Sequence, residues 1–162
     1  MQLQRLIEYS ICTLRQQLST QISALFTYQI MKLILGVVAD AANRASGDKL
    51  NILGIFHTIG SAQFPVTHPH LALALEFKAS PTDKGRNFSW QVRLVGPDGQ
   101  RVLELGGELA INRDAPALTP IVPMDINLHN VVFPVAGNYN FEILLDGEIK
   151  GEVPLEVVKV AM

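Results

Sequence analysis

From Tyr139 to Val157 the chain alternates apolar and polar residues around a single Asp-Gly step, and few architectures accept that pattern. Tyr139, Phe141, Ile143 and Leu145 take one side of a two-residue period, with Asn138, Asn140, Glu142 and Leu144 on the other. Ile149, Val153, Leu155 and Val157 resume the alternation after Asp146-Gly147, so two antiparallel strands joined by a tight turn follow. Polarity then bears on the register. A two-residue turn on Asp146-Gly147 sets Leu145, Ile143 and Phe141 opposite Glu148, Lys150 and Glu152, which puts apolar and charged side chains on one face. A three-residue loop, Leu145-Asp146-Gly147, with Gly147 left-handed in a bulge, sets Ile143 opposite Ile149 and Tyr139 opposite Val153, and is the expected turn.

Just upstream, Phe133-Pro-Val-Ala-Gly-Asn-Tyr139 is a turn feeding a strand. Its Gly-x-Tyr spacing resembles the tyrosine corner of immunoglobulin-like sandwiches, in which the phenol bonds nearby backbone. Phe141 stands where that family places a cysteine, so the inter-sheet disulfide has no counterpart and only the packing carries over.

Turn signals divide the preceding chain into further strands. A first strand expected to be fully buried, Lys32 to Ala39, leads through the polar loop Ala42 to Lys49 into a second strand, Leu50 to Ile59. Leu71 to Phe77 is the third, after a loop through Pro65 and Pro69. Phe88, Trp90, Val92 and Leu94 alternate with polar residues as the fourth. Gly96-Pro97-Asp98-Gly99 reverses the chain so that Leu94 and Val92 match Leu103 and Leu105 of a fifth, Leu103 to Ile111, with a bulge expected at Gly106-Gly107. A proline-rich crossing, Asp114 to Pro123, precedes a sixth, Met124 to Val132. With the last hairpin this makes about eight strands and no helical crossover, which predicts an all-β, two-sheet antiparallel sandwich, immunoglobulin-like in packing, over residues 31–162. Trp90, Val92, Phe141, Ile143 and Val153 are its expected core.

Residues 1–30 differ. Leu3, Ile7, Ile11, Leu14, Leu18, Ile22 and Leu25 recur at spacings of three and four, the stripe of an amphipathic helix. It has no continuous apolar run and no small-residue cleavage site, so it does not read as a secretion signal. Met31-Lys32 has the form of a translation start directly before the β-domain, so an accessory helix and an over-extended gene start both stand as readings.

Ala39-Asp-Ala-Ala42, then Ser46-Gly-Asp-Lys-Leu-Asn-Ile-Leu-Gly-Ile-Phe56, Pro65 and His68-Pro69, with the Gly-x-Tyr-x-Phe and Asp-Gly-Glu elements at the end, resemble an uncharacterised bacterial family of small β-sandwich domains of unknown function. The resemblance spans Met31 to about Val160 and implies a fold and a bacterial cytoplasmic setting, with no catalytic residues to carry over.

Candidate chemistry is sparse. His68-Pro69-His70, followed by Glu76, resembles the His-x-His and Glu of cupin metal sites. The glutamate is too far along, Gly60 is not at the cupin spacing, and a third histidine would have to come from His129 or His57. No Gly-x-Ser-x-Gly and no phosphate-binding loop is present, and Cys12 lies outside the β-domain. Asp125, Asn127 and His129 alternate on one strand face, as a solvated face does.

The net charge of −2 argues against nucleic acid as the main partner, and no run approaches a membrane span. Charged residues make up 17% of the chain, below the usual ~25%, which points to surface covered by another subunit, by a protein partner or by the N-terminal segment, with self-association the expected contact. The lone Cys12 forms no internal disulfide and fits a reducing compartment. The expectation is therefore a non-enzymatic binding or scaffolding module of the bacterial cytoplasm, without catalytic residues or cofactor. The alternative is a small metal-dependent enzyme or metal-binding protein using His68 and His70.

Overall fold

A computed structural model describes residues 31–161, and the helix expected over residues 1–30 lies outside them. Alternating and fully apolar runs become nine strands: β1 Lys32–Ala45, β2 Lys49–Ile55, β3 Thr58–Ser61, β4 Val66–Lys78, β5 Asn87–Val95, β6 Arg101–Ala110, β7 Ile121–Phe133, β8 Gly137–Leu145 and β9 Glu148–Lys159. A 3₁₀ turn, Pro81–Asp83, separates β4 from β5. The strands form two sheets, ordered β2-β1-β4-β7 and β3-β9-β8-β5-β6. The domain is an all-β sandwich with immunoglobulin-like packing.

Nine strands replace the expected eight because the segment from Leu50 to Ile59 changes sheets. β2 pairs with β1, the chain breaks at Phe56-His57, and β3 then pairs with β9 as the parallel ladder of this otherwise antiparallel fold. The first strand, with only Val38 and Ala39 buried between Lys32 and Ala39 rather than the whole run, also continues past Ala39 through half of the polar stretch expected to be a loop, and β4 takes in His68-Pro69-His70.

The core lies between the sheets. Leu71, Leu73, Leu75 and Phe77 of β4 meet Val92 and Leu94 of β5, Tyr139, Phe141 and Ile143 of β8, and Val153 and Leu155 of β9, all buried. Full burial of each large apolar side chain contributes about 1.5–3 kcal/mol. Trp90 departs from expectation: it is only partly buried, with its indole beside Gly107, its partner on the neighbouring strand. Gly36 and Gly151 let β1 and β9 approach. A methyl on Gly36 would sit 2.7 Å from a Val153 methyl, and one on Gly151 would sit 2.5 Å from Leu33.

β4 is buried on both faces, which explains its unbroken apolar run. Ala72 and Ala74 point away from the main core, yet they pack with Ala42 and with Val37, Leu50 and Ile52 of the β1–β2 hairpin. The hairpin therefore lies against the outer face of its own sheet. Its Arg44 reaches Asp125 on β7, Nε to Oδ1 3.0 Å. Alanines at 72 and 74 leave the room this second layer requires.

The β8–β9 turn corrects the register expectation. Leu145 pairs with Glu148 across a two-residue turn, with Asp146 and Gly147 both at positive φ (49° and 81°). The polarity conflict is resolved deeper in the hairpin: the ladder shifts between Ile143 and Leu144, leaving Lys150 as the extra residue. Ile143 therefore faces Gly151, Phe141 faces Val153 and Tyr139 faces Leu155. Polarity requires one inserted residue and is indifferent to where it falls. The β5–β6 pairing matches expectation, Leu94 with Leu103 and Val92 with Leu105, but Gly106-Gly107 stays in regular register and the shift is at Leu94/Val95.

Candidate functional site

β6 and β7 are the edge strands of their respective sheets, on the same side of the sandwich, and they do not pair with each other. A cleft of about 550 Å³ opens between them. Leu103, Leu128 and Val131 supply apolar floor, Val135 and Tyr139 close one end, and Asp98, Gln100, Arg101, His129 and Asn130 form the polar rim.

Local backbone geometry places the rim. Asn130 adopts φ +53°, and around it Leu128 and Val131 are buried while His129 and Asn130 are both exposed. A strict two-residue period would have turned one of that middle pair inward. On the other lip, Asp98 accepts the Gln100 backbone N–H (3.1 Å) and fixes the β5–β6 turn, while Arg101 pairs with Glu104. Tyr139 is buried, donates its hydroxyl to the Val135 carbonyl at 2.8 Å and stands edge-on to Phe133 with centroids 5.0 Å apart. This is the tyrosine-corner packing read from the Gly-x-Tyr spacing.

The lining holds one carboxylate and one imidazole, and no serine, threonine or cysteine. A second, more open hollow of about 590 Å³ lies over β8 and β9, with His57, Asn138, Asn140 and Glu156 along it.

The sequence-predicted metal pair does not converge as a cupin site does. His68 turns its ring toward Phe56, centroids 5.8 Å apart, and His70 turns toward His129 at 4.8 Å. Glu76 is six residues further along the same extended strand, roughly 20 Å away at ~3.3 Å per residue, and His57 borders the other hollow. Among the described residues no group of three or more His, Cys, Asp or Glu side chains is placed to hold a metal ion. On the Asp125-x-Asn127-x-His129 face Asn127 and His129 are exposed, whereas Asp125 is part-buried and engaged by Arg44. Sequence reasoning missed the cleft itself, since an open edge between two sheets leaves no local pattern. The nearest signal was the pair of polar residues His129-Asn130 interrupting β7.

Residues 34–158 match the model of a family described as Family of unknown function (DUF6941). No curated protein matches the chain. Among solved structures, the Pseudomonas fluorescens alkylpurine DNA glycosylase AlkC, bound to DNA containing an abasic site analog, is similar at TM-score 0.43 and 11% identity, covering 79% of this chain and 30% of that one. An immunoglobulin-like protein from Pseudomonas aeruginosa is similar at TM-score 0.38 and 14% identity, covering 82% of this chain and 99% of that one. The chain thus spans less than a third of the glycosylase. The exclusion of nucleic acid drawn from charge is corrected: a DNA-bound protein stands among these structures, and the DNA is that protein's alone. A net charge is a sum over the whole surface and does not fix the field at any one patch. No helix among the described residues is long and apolar enough to cross a membrane.

Proposed function

The chain belongs to that family of unknown function, and from this premise we propose that it is a non-enzymatic binding module whose ligand occupies the cleft between β6 and β7. The observation that carries the reading is the cleft's lining: an apolar floor of Leu103, Leu128 and Val131 under a short rim of Gln100, Arg101, His129 and Asn130. Sites for small ligands combine apolar walls with a few placed polar groups, the first supplying affinity and the second orientation. A ligand with an apolar body and one polar or anionic end fits that division. The bacterial cytoplasm is the setting that goes with this reading, supported by a chain whose one cysteine, Cys12, leaves no internal disulfide. The alternative built on His68 and His70 has no supporting geometry, because the two rings turn to different neighbours.

The test is a fragment screen read by backbone amide shifts, using small amphipathic acids and amides as probes. Binders are expected to move Arg101, Leu103, His129 and Asn130 together. Leu103→Trp, which fills the floor, should abolish those shifts while leaving the fold's dispersion intact. Shifts that map instead to His57 and Glu156, or that survive Leu103→Trp, would overturn the assignment.

A further inference from the structure

His70 on β4 and His129 on β7 are direct partners in the antiparallel ladder, and their ring centroids are 4.8 Å apart at an interplanar angle of 43°. Facing residues in such a ladder have Cβ atoms about 4.5–5.5 Å apart, so the backbone register, rather than a chance rotamer, holds the imidazoles together. Both side chains are accessible from solvent, and His129 also lines the cleft.

We propose that His70 and His129 form a two-imidazole site for a divalent transition-metal ion at the lip of the cleft. Imidazole nitrogen favours borderline ions such as nickel, copper and zinc over magnesium and calcium, which seek oxygen. The neighbouring side chains define the rest of the coordination. His68 lies on the same strand two residues away, but its ring is turned toward Phe56. Asp125 is held by Arg44 at 3.0 Å, and Asp98 by the turn it caps. With two protein ligands in place, water fills the remaining positions, so the site is open and exchangeable, unlike a closed four-ligand structural site. An ion there ties β4 to β7 and stabilises the native state in proportion to its occupancy. The inference stands whether or not the cleft takes an organic ligand.

The test titrates the full, untagged chain with nickel chloride, following heat of binding and melting temperature. One saturable site per chain is expected, with a melting temperature that rises as nickel is added. His129→Ala and His70→Ala should each abolish both effects, and His68→Ala should retain them. Metal-free melts check that the variants fold, with His70→Gln and His129→Asn used where alanine loosens the strand. Absence of saturable binding to the wild-type chain would overturn the proposal. So would binding that survives His129→Ala and is lost in His68→Ala, which would move the site to His68-Pro69-His70 on one strand.

Discussion

Replacing Tyr139 by Phe isolates one hydroxyl in an otherwise unchanged core. The phenol donates to the Val135 carbonyl at 2.8 Å and receives the Val135 N–H at a long 3.4 Å. The ring, only 2% exposed, keeps its edge-on contact with Phe133 in the variant. Two magnitudes compete for the cost. A buried carbonyl left without a partner would cost about 1–3 kcal/mol, whereas a hydrogen bond exchanged for one to water costs about 0.5–1.5 kcal/mol. Val135 is 49% exposed, so water reaches the backbone group that the hydroxyl leaves, and the lower range applies. A loss near 1 kcal/mol is therefore expected, or about 3–5 °C in melting temperature for a domain of this size. Tyr139→Ala removes the ring as well and should cost about 3–5 kcal/mol. Urea melts on the wild-type chain and both variants give the comparison, with the m-value checking that the same surface is exposed on unfolding. A Tyr139→Phe variant indistinguishable from wild type, or one as damaged as Tyr139→Ala, would refute the reasoning: the first would mean the hydroxyl bond contributes nothing, the second that it organises the whole corner.

Other perturbations test other parts of the packing. Gly36→Ala places a methyl 2.7 Å from Val153 and should cost about 1–3 kcal/mol by overpacking; in the double variant with Val153→Ala the two losses should sum to less than their separate values, and simple additivity would count against the close approach of β1 and β9. Gly107→Val should push the Trp90 indole off its seat, 3.1 Å from where a Cβ would stand, and red-shift its fluorescence; an unmoved emission maximum would argue that the indole does not lie there. Gly147→Ala, at φ +81°, should destabilise the β8–β9 hairpin by about 1–2 kcal/mol, while Asp146→Asn, at φ +49°, is expected to be tolerated; equal thermal melts for both variants would contradict the two-residue turn. Arg44→Ala, at a half-exposed ion pair, should cost under about 1 kcal/mol, and Ile52→Ala more, because apolar contact with Ala72 and Ala74 rather than charge holds the hairpin down; the reverse order in urea melts would overturn that account.

The sequence by itself determined that Phe88 to Leu94 and the last hairpin are strands and which side of them is dry. Alternation from Phe88 to Leu94 and from Tyr139 to Val157 depends only on neighbours along the chain, and the Gly-x-Tyr spacing carried the tyrosine corner with it. Polarity also required one inserted residue in the last hairpin. Tertiary structure decided where it fell, because a bulge at Lys150 and a bulge at the turn satisfy the same alternation and differ by two residues in what they set opposite Ile143, Phe141 and Tyr139 alike. The strand change at Phe56-His57 and the hairpin lying over Ala72 and Ala74 were likewise decided in three dimensions. An apolar residue reads the same in sequence whether the surface that buries it is the main core or a second layer. The candidate site was the least legible part. Its cleft is the gap between two edge strands, and its histidine pair comes from strands whose partners are about 60 residues apart, with register as the one thing that brings them together.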